Sequence, residues 1–356
     1  MADQFLWSTN VGTKVEQPFW LHWGCGDRVL EGFVNADFRP TDRRVLDWDF
    51  LDPWPLQEWQ EQCEGAFSED VLEHFFLAEQ AYILSSLNCI LRPNAVSRVL
   101  MPSYQRLVER VRERDARPGG FLHDTFGVTT ETDAINMGLR FSGHRWLHDR
   151  TSFARLATSC GFEAAATSCA KSSVPALSNL NLRSETDSAS FATDLHKRRR
   201  MSRITVVPTE VHQASLVETL DDHIGLYRAE CDTCLVVYRL PQPSRTSELA
   251  CINIRSANLS SFRDHFYKHV TLAAPGTSGT WRLDETVKSK SGVNLMTRDQ
   301  IGLATHGMTS VEELRFVPAK AGEYFTLGNA ELFILSHQNP GRNAIGPASM
   351  NLDQAA

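Results

Sequence analysis

LHWGCGDRVLEGFVNADFRP, residues 21–40, decides how this chain folds. The apolar run Phe19–Trp23 reads as a strand that ends in Gly24-Cys25-Gly26, and Gly32–Asp37 reads as a second strand that ends in a carboxylate. Glycines there let the backbone turn tightly and approach a ligand, and the helix expected next would present free N–H groups. A carboxylate eleven residues beyond Gly26 can accept both hydroxyls of a ribose. A plain strand-to-helix turn uses the same residues, so the pair alone does not separate a binding site from a connection.

Working outward, short apolar runs alternate with helical patterns as in a βαβ chain. Arg44–Asp47 and Gly65–Ser68 read as the third and fourth strands. A helix over Val71–Leu91 is broken by Arg92-Pro93-Asn94, and the fifth strand, Val96–Met101, stops at Pro102. A helix over Gln105–Arg114 leads into a Gly/Asp-rich insertion, Pro118–Asp149. A further helix, Thr151–Cys160, is closed by Gly161, and the strands Phe162–Thr167 and Ser188–His196 complete a set of seven. The expected fold class is α/β, a doubly wound seven-stranded sheet.

At 356 residues a second domain is expected. Lys197-Arg198-Arg199-Arg200 marks the boundary and reads as a solvated linker rather than a binding patch. Beyond it, Ile204–Val207, Cys234–Leu240, Leu249–Arg255, Val270–Ala273, Glu313–Val317 and Glu331–Ile334 are short β-type segments between Pro/Gly/Ser turns. Helical patterns are expected over Val211–Leu220 and Ser260–His269. The division is therefore 1–200 (α/β), 201–338 (an antiparallel sandwich) and 339–356 (a polar, disordered tail).

The net charge of -7 supplies no basic field for nucleic acid or an anionic membrane. No apolar stretch approaches the roughly 20 residues a membrane span needs, and the N-terminus lacks a signal-peptide pattern, so a cytoplasmic protein is expected. The eight cysteines are scattered and read as small buried hydrophobes; Cys231-x-x-Cys234 has no second pair to complete a zinc site.

Several blocks resemble, in order, a class I S-adenosylmethionine-dependent methyltransferase of the "methyltransferase type 11" kind. Leu21–Asp37 is similar to its L-x-x-G-C-G then G-(W/F)-x-N-x-D opening, and Asp49–Leu56 (DFLDPWPL) to its segment after strand three. Ser68–His74 (SEDVLEH) resembles its h-V-L-E-H element, and Leu91-Arg92-Pro93-Asn94 stands where the family has L-K-P-G-G. Gly143–Trp146, Asp149 and Cys160-Gly161-Phe162 resemble its close, and Arg183–Lys197 its final strand. The resemblance spans about residues 18–197 and implies S-adenosylmethionine as cofactor. It would set Gly24, Gly26 and the Cys25 backbone under the methionine moiety, Asp37 on the ribose diol, and Asp49 on the adenine amine. Phe50 would lie against the ring, with Ser68 and Glu69 at the sulfonium end. Leu21-His22-Trp23 lack the acidic residue many members carry before the glycines, and Asn94 replaces a usual glycine.

Such a site has to align a nucleophile behind the methyl group, and a base within hydrogen-bond reach helps when the acceptor carries a proton. His144, and after it His123, Asp124 and His148, are the candidates in the insertion; each is equally read as a residue satisfied by local backbone. Glu73-His74 is expected to be structural, and no metal site is expected, because the spacing between 123 and 149 matches no ligand motif. Phe121, Phe126, Phe141 and Trp146 suit a lid's own core, and Arg140 and Arg145 a substrate anion or plain surface. Ala321–Leu327 followed by Ala330–Ile334 resembles the closing hairpin of jelly-roll modules, which often bind carbohydrate; dimerisation, giving a homodimer, and a bare scaffold are the equal alternatives.

The expected activity is methyl transfer to an oxygen or nitrogen of a small molecule, such as a sugar or natural-product intermediate. An enzyme of the same fold using the cofactor for other chemistry is one rival. A non-catalytic protein with a degenerate pocket is the other.

Overall fold

Aromatic, branched and small apolar side chains form β1 (Phe19–Trp23), β2 (Phe33–Asp37), β3 (Val45–Asp47), β4 (Cys63–Glu69), β5 (Leu91–Pro102), β6 (Phe162–Thr167) and β7 (Ser190–Lys197). The computed structural model describes residues 15, 18–115, 117–140, 143–182, 190–221, 224–257, 268–283 and 293–336. These strands make one sheet in the order β3-β2-β1-β4-β5-β7-β6, with β7 running against both neighbours. A mixed seven-stranded sheet of this order fits a class I methyltransferase fold.

The winding is less regular than expected. The link from Gly24 to Gly32 forms turns and no helix. One face of the sheet, with Leu21, Trp23, Ala66 and Val99, is covered by α2 (Leu77–Ile90) and α6 (Arg150–Ser159). The opposite face, with Trp20, Phe67, Leu100 and Ala192, is covered by Leu30, Val174 and Leu180 from irregular segments and by Leu177 from the single 3-10 turn Pro175–Leu177, with no α-helix. Helices therefore cover one face among the described residues, which corrects the double winding. The insertion folds on itself: α3 (Tyr104–Arg110), α4 (Phe121–Phe126) and α5 (Glu131–Arg140) gather Val111, Leu122, Val128 and Ala134 into a small separate core, with Phe126 against it.

The second half is antiparallel. A four-stranded sheet holds β8 (Met201–Val206), β13 (Leu249–Arg255), β16 (Val293–Thr297) and β19 (Ala330–Leu335) in the order β16-β13-β19-β8. A five-stranded sheet holds β9 (Glu210–His212), β12 (Leu235–Arg245), β14 (Lys268–Ala274), β15 (Thr277–Leu283) and β17 (Ser310–Val317). Alternation sends Ile252, Ile254 and Leu332 from one and Val236, Tyr238, Leu272, Leu314 and Phe316 from the other into a shared core, which makes a β-sandwich. A third sheet joins β10 (Ala214–Asp221), β11 (Ile224–Ala229) and β18 (Tyr324–Leu327). The helix expected over Val211–Leu220 is thus two strands, parted by Gln213 at φ 58°. Most of the helix expected over Ser260–His269 lies outside the described residues, and its last two positions begin β14.

The four-stranded sheet is buried on both sides. Its inner residues face the sandwich, while Met201, Cys251, Leu295, Phe333 and Leu335 pack into the same core as α2. Every residue of α2 from Glu79 to Ile90 is accordingly buried, as expected for a helix enclosed on all sides. Asn88 locks the junction, donating to Cys160 O at 3.0 Å and Arg199 O at 3.1 Å and accepting from Met201 N at 3.0 Å. Arg255 reaches across to Tyr82 Oη (2.5 Å) and Leu51 O (2.6 Å), and pairs with Glu331 at 3.0 Å. The basic run at 197–200 is consumed in the same way: Lys197 donates to Leu91 O, Arg198 pairs with Glu163, Arg199 donates to Ser336 O and Arg200 pairs with Glu61. The run is tied at every residue, while Arg198 and Arg200 stay solvent-exposed.

Arg98 of β5 and Asp194 of β7 are cross-strand partners, both fully buried, with a 3.0 Å ion pair. Arg98 also donates to the carbonyls of Ser168, Cys169 and Lys171, and Asp194 accepts from Ser172 and Ser173. The pair thus shapes the segment after β6. Asp194→Ala leaves a buried guanidinium without its counter-charge and should cost about 3–5 kcal/mol in urea unfolding; a loss under 1 kcal/mol would show that the pair is dispensable.

Asp52, on the loop that meets Arg255, has its carboxyl pushed up to about 7 by burial and then by the Asp49 charge. The folded chain holds this proton while the unfolded chain releases it near pH 4, so folding loses stability as pH rises through that window. Asp52→Asn removes the loss. The variant's Tm should gain on the parent's between about pH 5 and pH 8, and a constant difference would disprove the assignment.

Candidate functional site

The C-terminal ends of β1, β2 and β4 converge on a cavity of about 920 Å³, a size that suits a small ligand or cofactor. Its wall includes Gly24, Cys25, Gly26, Asp37, Asp49, Phe50 and Glu69. Gly24 sits at φ 66°, and a Cβ there would come within 2.2 Å of Val71 Cγ2. Gly26, at φ 54°, has open space where its Cβ would be. The amides of Gly24 and Cys25 both donate to Ala36 O, which pins the glycine turn onto the end of β2.

Asp37 points into that turn. One carboxylate oxygen accepts from Gly26 N and the other from Phe38 N at 2.6 Å. An ionised carboxylate offers about four acceptor sites, so capacity for two further donors remains. Without a helix after Gly26, no helix dipole contributes here, and the backbone N–H groups act alone.

Asp49 is half-buried and caps its own loop through Leu51 N at 3.0 Å. Phe50 reaches the cavity wall from an aromatic cluster with Trp23, Trp48 and Trp54, its ring 5.2 Å from that of Trp48. Glu69 accepts from Leu182 N at 2.9 Å and lies 3.7 Å from Arg28, so the segment after β6 closes over this end. Ser68 is not in the wall: alternation along β4 turns its hydroxyl into the core, where it is buried. The Cys25 thiol is pushed up to about 11 by burial and then by the Asp37 charge, which keeps it neutral.

The proton-accepting candidates separate. His148 is buried between Gln80 Oε1 (2.8 Å) and Ser152 Oγ (3.0 Å), its pKa lowered to about 4 by burial, and it lies off the cavity. His123 and Asp124 pair with each other at 2.7 Å on α4, also away from it. His144 lies against the wall. Arg145 N (2.7 Å) and Trp146 N (3.2 Å) both donate to Glu73 O, which brings the His144 ring to 5.3 Å from that of His74, a wall residue. Arg145 lines the cavity and lies 3.9 Å from Glu79, whereas Arg140 is exposed on α5 and Phe141 lies outside the described residues.

Contributors not evident from sequence include Val71, Leu182 and Arg28 in the cavity wall, and His22 behind it. His22 Nδ1 donates at 3.0 Å to Asn35 Oδ1, and burial lowers its pKa to about 4. It lines a smaller cavity of about 260 Å³ behind the glycine turn, at the place where the expected acidic residue is missing.

No family model matches the chain, and no curated protein matches it. Among solved structures it is similar to the mitomycin 7-O-methyltransferase MmcR, at 13% identity over 51% of this chain and 49% of that one (TM-score 0.31). It is also similar to the CurJ carbon methyltransferase, at 12% over 52% and 50% (TM-score 0.28). A xylan-binding module from Roseburia intestinalis matches at 11% over 38% of this chain and 96% of the module (TM-score 0.27). The chain spans about half the length of the two methyltransferases. Likeness this faint concerns folds and says nothing of activity.

The two glycines differ in a measurable way. Gly24→Ala meets both the left-handed backbone penalty of about 1–3 kcal/mol and the Val71 side chain, whereas Gly26→Ala meets the backbone penalty alone. Urea unfolding should show Gly24→Ala as the more destabilised; equal losses would mean that Val71 yields freely.

Proposed function

We propose that this chain is an S-adenosylmethionine-dependent methyltransferase acting on an oxygen or nitrogen of a small molecule. The observation that carries the reading is the Asp37 carboxylate aimed into the Gly24–Gly26 turn at the mouth of a 920 Å³ cavity. The cradle suits the cofactor: Gly24 lets Val71 close in behind the turn, Gly26 leaves open space where a side chain would stand, and the carboxylate is a ribose acceptor at the end of the second strand.

S-adenosylmethionine supplies a methyl group already activated on a sulfonium, so the protein's tasks are binding, alignment and exclusion of water. Asp37 would hold the ribose and Asp49 the adenine amine, with the edge of Phe50 beside the ring. Glu69, tied to Leu182, would close the sulfonium end. Ser68, buried in the core, would act from behind this wall at most. A neutral Cys25 does not compete as a nucleophile. His74 and Arg145 line the same cavity as the glycine turn, and proton removal from an acceptor there would fall to the group Glu73, His74 and His144.

Calorimetry with S-adenosylhomocysteine tests this directly. The parent chain should bind, and Asp37→Ala should bind roughly tenfold to a hundredfold more weakly, the worth of about 1.5–3 kcal/mol for bonds to a charged acceptor. No binding by the parent would favour a non-catalytic protein. Binding without transfer of a methyl to any acceptor would favour other chemistry on the same cofactor.

A further inference from the structure

Glu73, His74 and His144 each present one ligand atom, and these atoms lie within 4.8 Å of one another. We propose that this triad is a binding site for a divalent transition ion of the zinc or iron(II) class, held at the cavity wall.

The donor set points to that class. Two imidazole nitrogens and one carboxylate oxygen suit zinc, iron and their neighbours, while magnesium and calcium prefer all-oxygen shells. Three protein ligands leave at least one position for water or an acceptor, and His74 places that position on the cavity. Glu73 is fully buried and His144 Nε2 stands 4.0 Å from its Oε1, so the carboxylate already faces one of the two imidazoles. Ligands about 2.1 Å from one ion stand about 3.4 Å apart at the tetrahedral angle, so the triad has to contract by up to about 1.4 Å. Side-chain rotation covers that distance.

The frame is already set. Glu73 and His74 are adjacent on the short turn after β4, and two backbone hydrogen bonds from Arg145 and Trp146 to Glu73 O hold the segment 143–146 against them. Arg145 adds a cation–π contact with Phe76 at 5.1 Å. Gly143, at φ 77°, turns the chain over His74, and a Cβ there would lie 3.8 Å from His74 Nδ1. Ion binding does not depend on the methyltransferase reading, but its use in catalysis does. An acceptor hydroxyl on the ion would lose its proton to solvent water more readily, and the resulting oxygen would be fixed beside the methyl donor.

The test uses the tag-free full chain, stripped with chelator and titrated with Co²⁺ and Zn²⁺. One equivalent of Co²⁺ per chain should bind with the visible absorption of a low-symmetry nitrogen–oxygen site, and Zn²⁺ should displace it. His74→Ala and His144→Ala, both at the rim, should each weaken binding at least about tenfold with unchanged circular dichroism. Glu73→Gln should do the same, and if it fails to fold the two histidine variants carry the result. No stoichiometric binding, or binding untouched by either histidine variant, overturns the proposal. S-adenosylhomocysteine binding measured on the same stripped samples separates the two readings. Cofactor binding without ion binding removes this inference alone, and ion binding without cofactor binding removes the methyltransferase assignment alone.

Discussion

Everything in this structure hangs on the enclosure of α2. A helix at the surface of an α/β sheet needs one apolar stripe, and the other side faces water. Here the sequence LAEQAYILSSLNCI is buried all round, because the α/β sheet takes one side and the outer face of the four-stranded sheet takes the other. Small polar residues at 85, 86 and 88 are tolerated on it because backbone approaches closely. Gly161 shows how closely: a Cβ there would come within 2.8 Å of Asn88 Nδ2 and 2.7 Å of Leu335.

That enclosure brings charge indoors. Arg255 and Glu331 sit on the face of a strand pair that would be solvated in an isolated sandwich, and both are nearly inaccessible. Burial alone would raise the Glu331 carboxyl, yet Arg255 and Arg203 hold it below the usual range. A buried pair of this kind adds little net stability over apolar packing, but a lone half of it is very costly. It therefore favours one arrangement of the layers over slipped ones. Arg255 also grips Leu51 O, on the loop that carries Asp49 and Phe50 into the cavity, so the packing between layers reaches the candidate site.

Much of the α/β half was legible because strands are short apolar runs bounded by Gly, Pro and Asp, and that signal is local. Six of its seven strands lie within two residues of where periodicity puts them, as do the glycine turn and Asp37, while β5 begins at Leu91, five residues before the expected Val96, and runs through the expected break at 92–94. What escaped was set by distant parts of the chain. The residues after Gly26 (DRVLEG) do not form a helix, because the amides of 24 and 25 bond to Ala36 O and Asn35 clamps Leu30. Val211–Leu220 looked helical by spacing, but pairing with β11 claims it as strand. Ser68 reads as a pocket residue by position, and only the alternation of β4 shows it turned inward.

The triad illustrates the same limit at the level of chemistry. A ligand motif is recognisable in sequence when its members share one element, as two histidines one helical turn apart do. Glu73-His74 and His144 are seventy residues apart and meet because Arg145 and Trp146 dock on a carbonyl of the turn after β4. The side chains that matter are thus placed by backbone hydrogen bonds, which leave no residue-type signature. His144 can be singled out from sequence as a base, but its neighbours cannot, and it is the neighbours that decide whether an imidazole beside a buried carboxylate carries a proton or an ion.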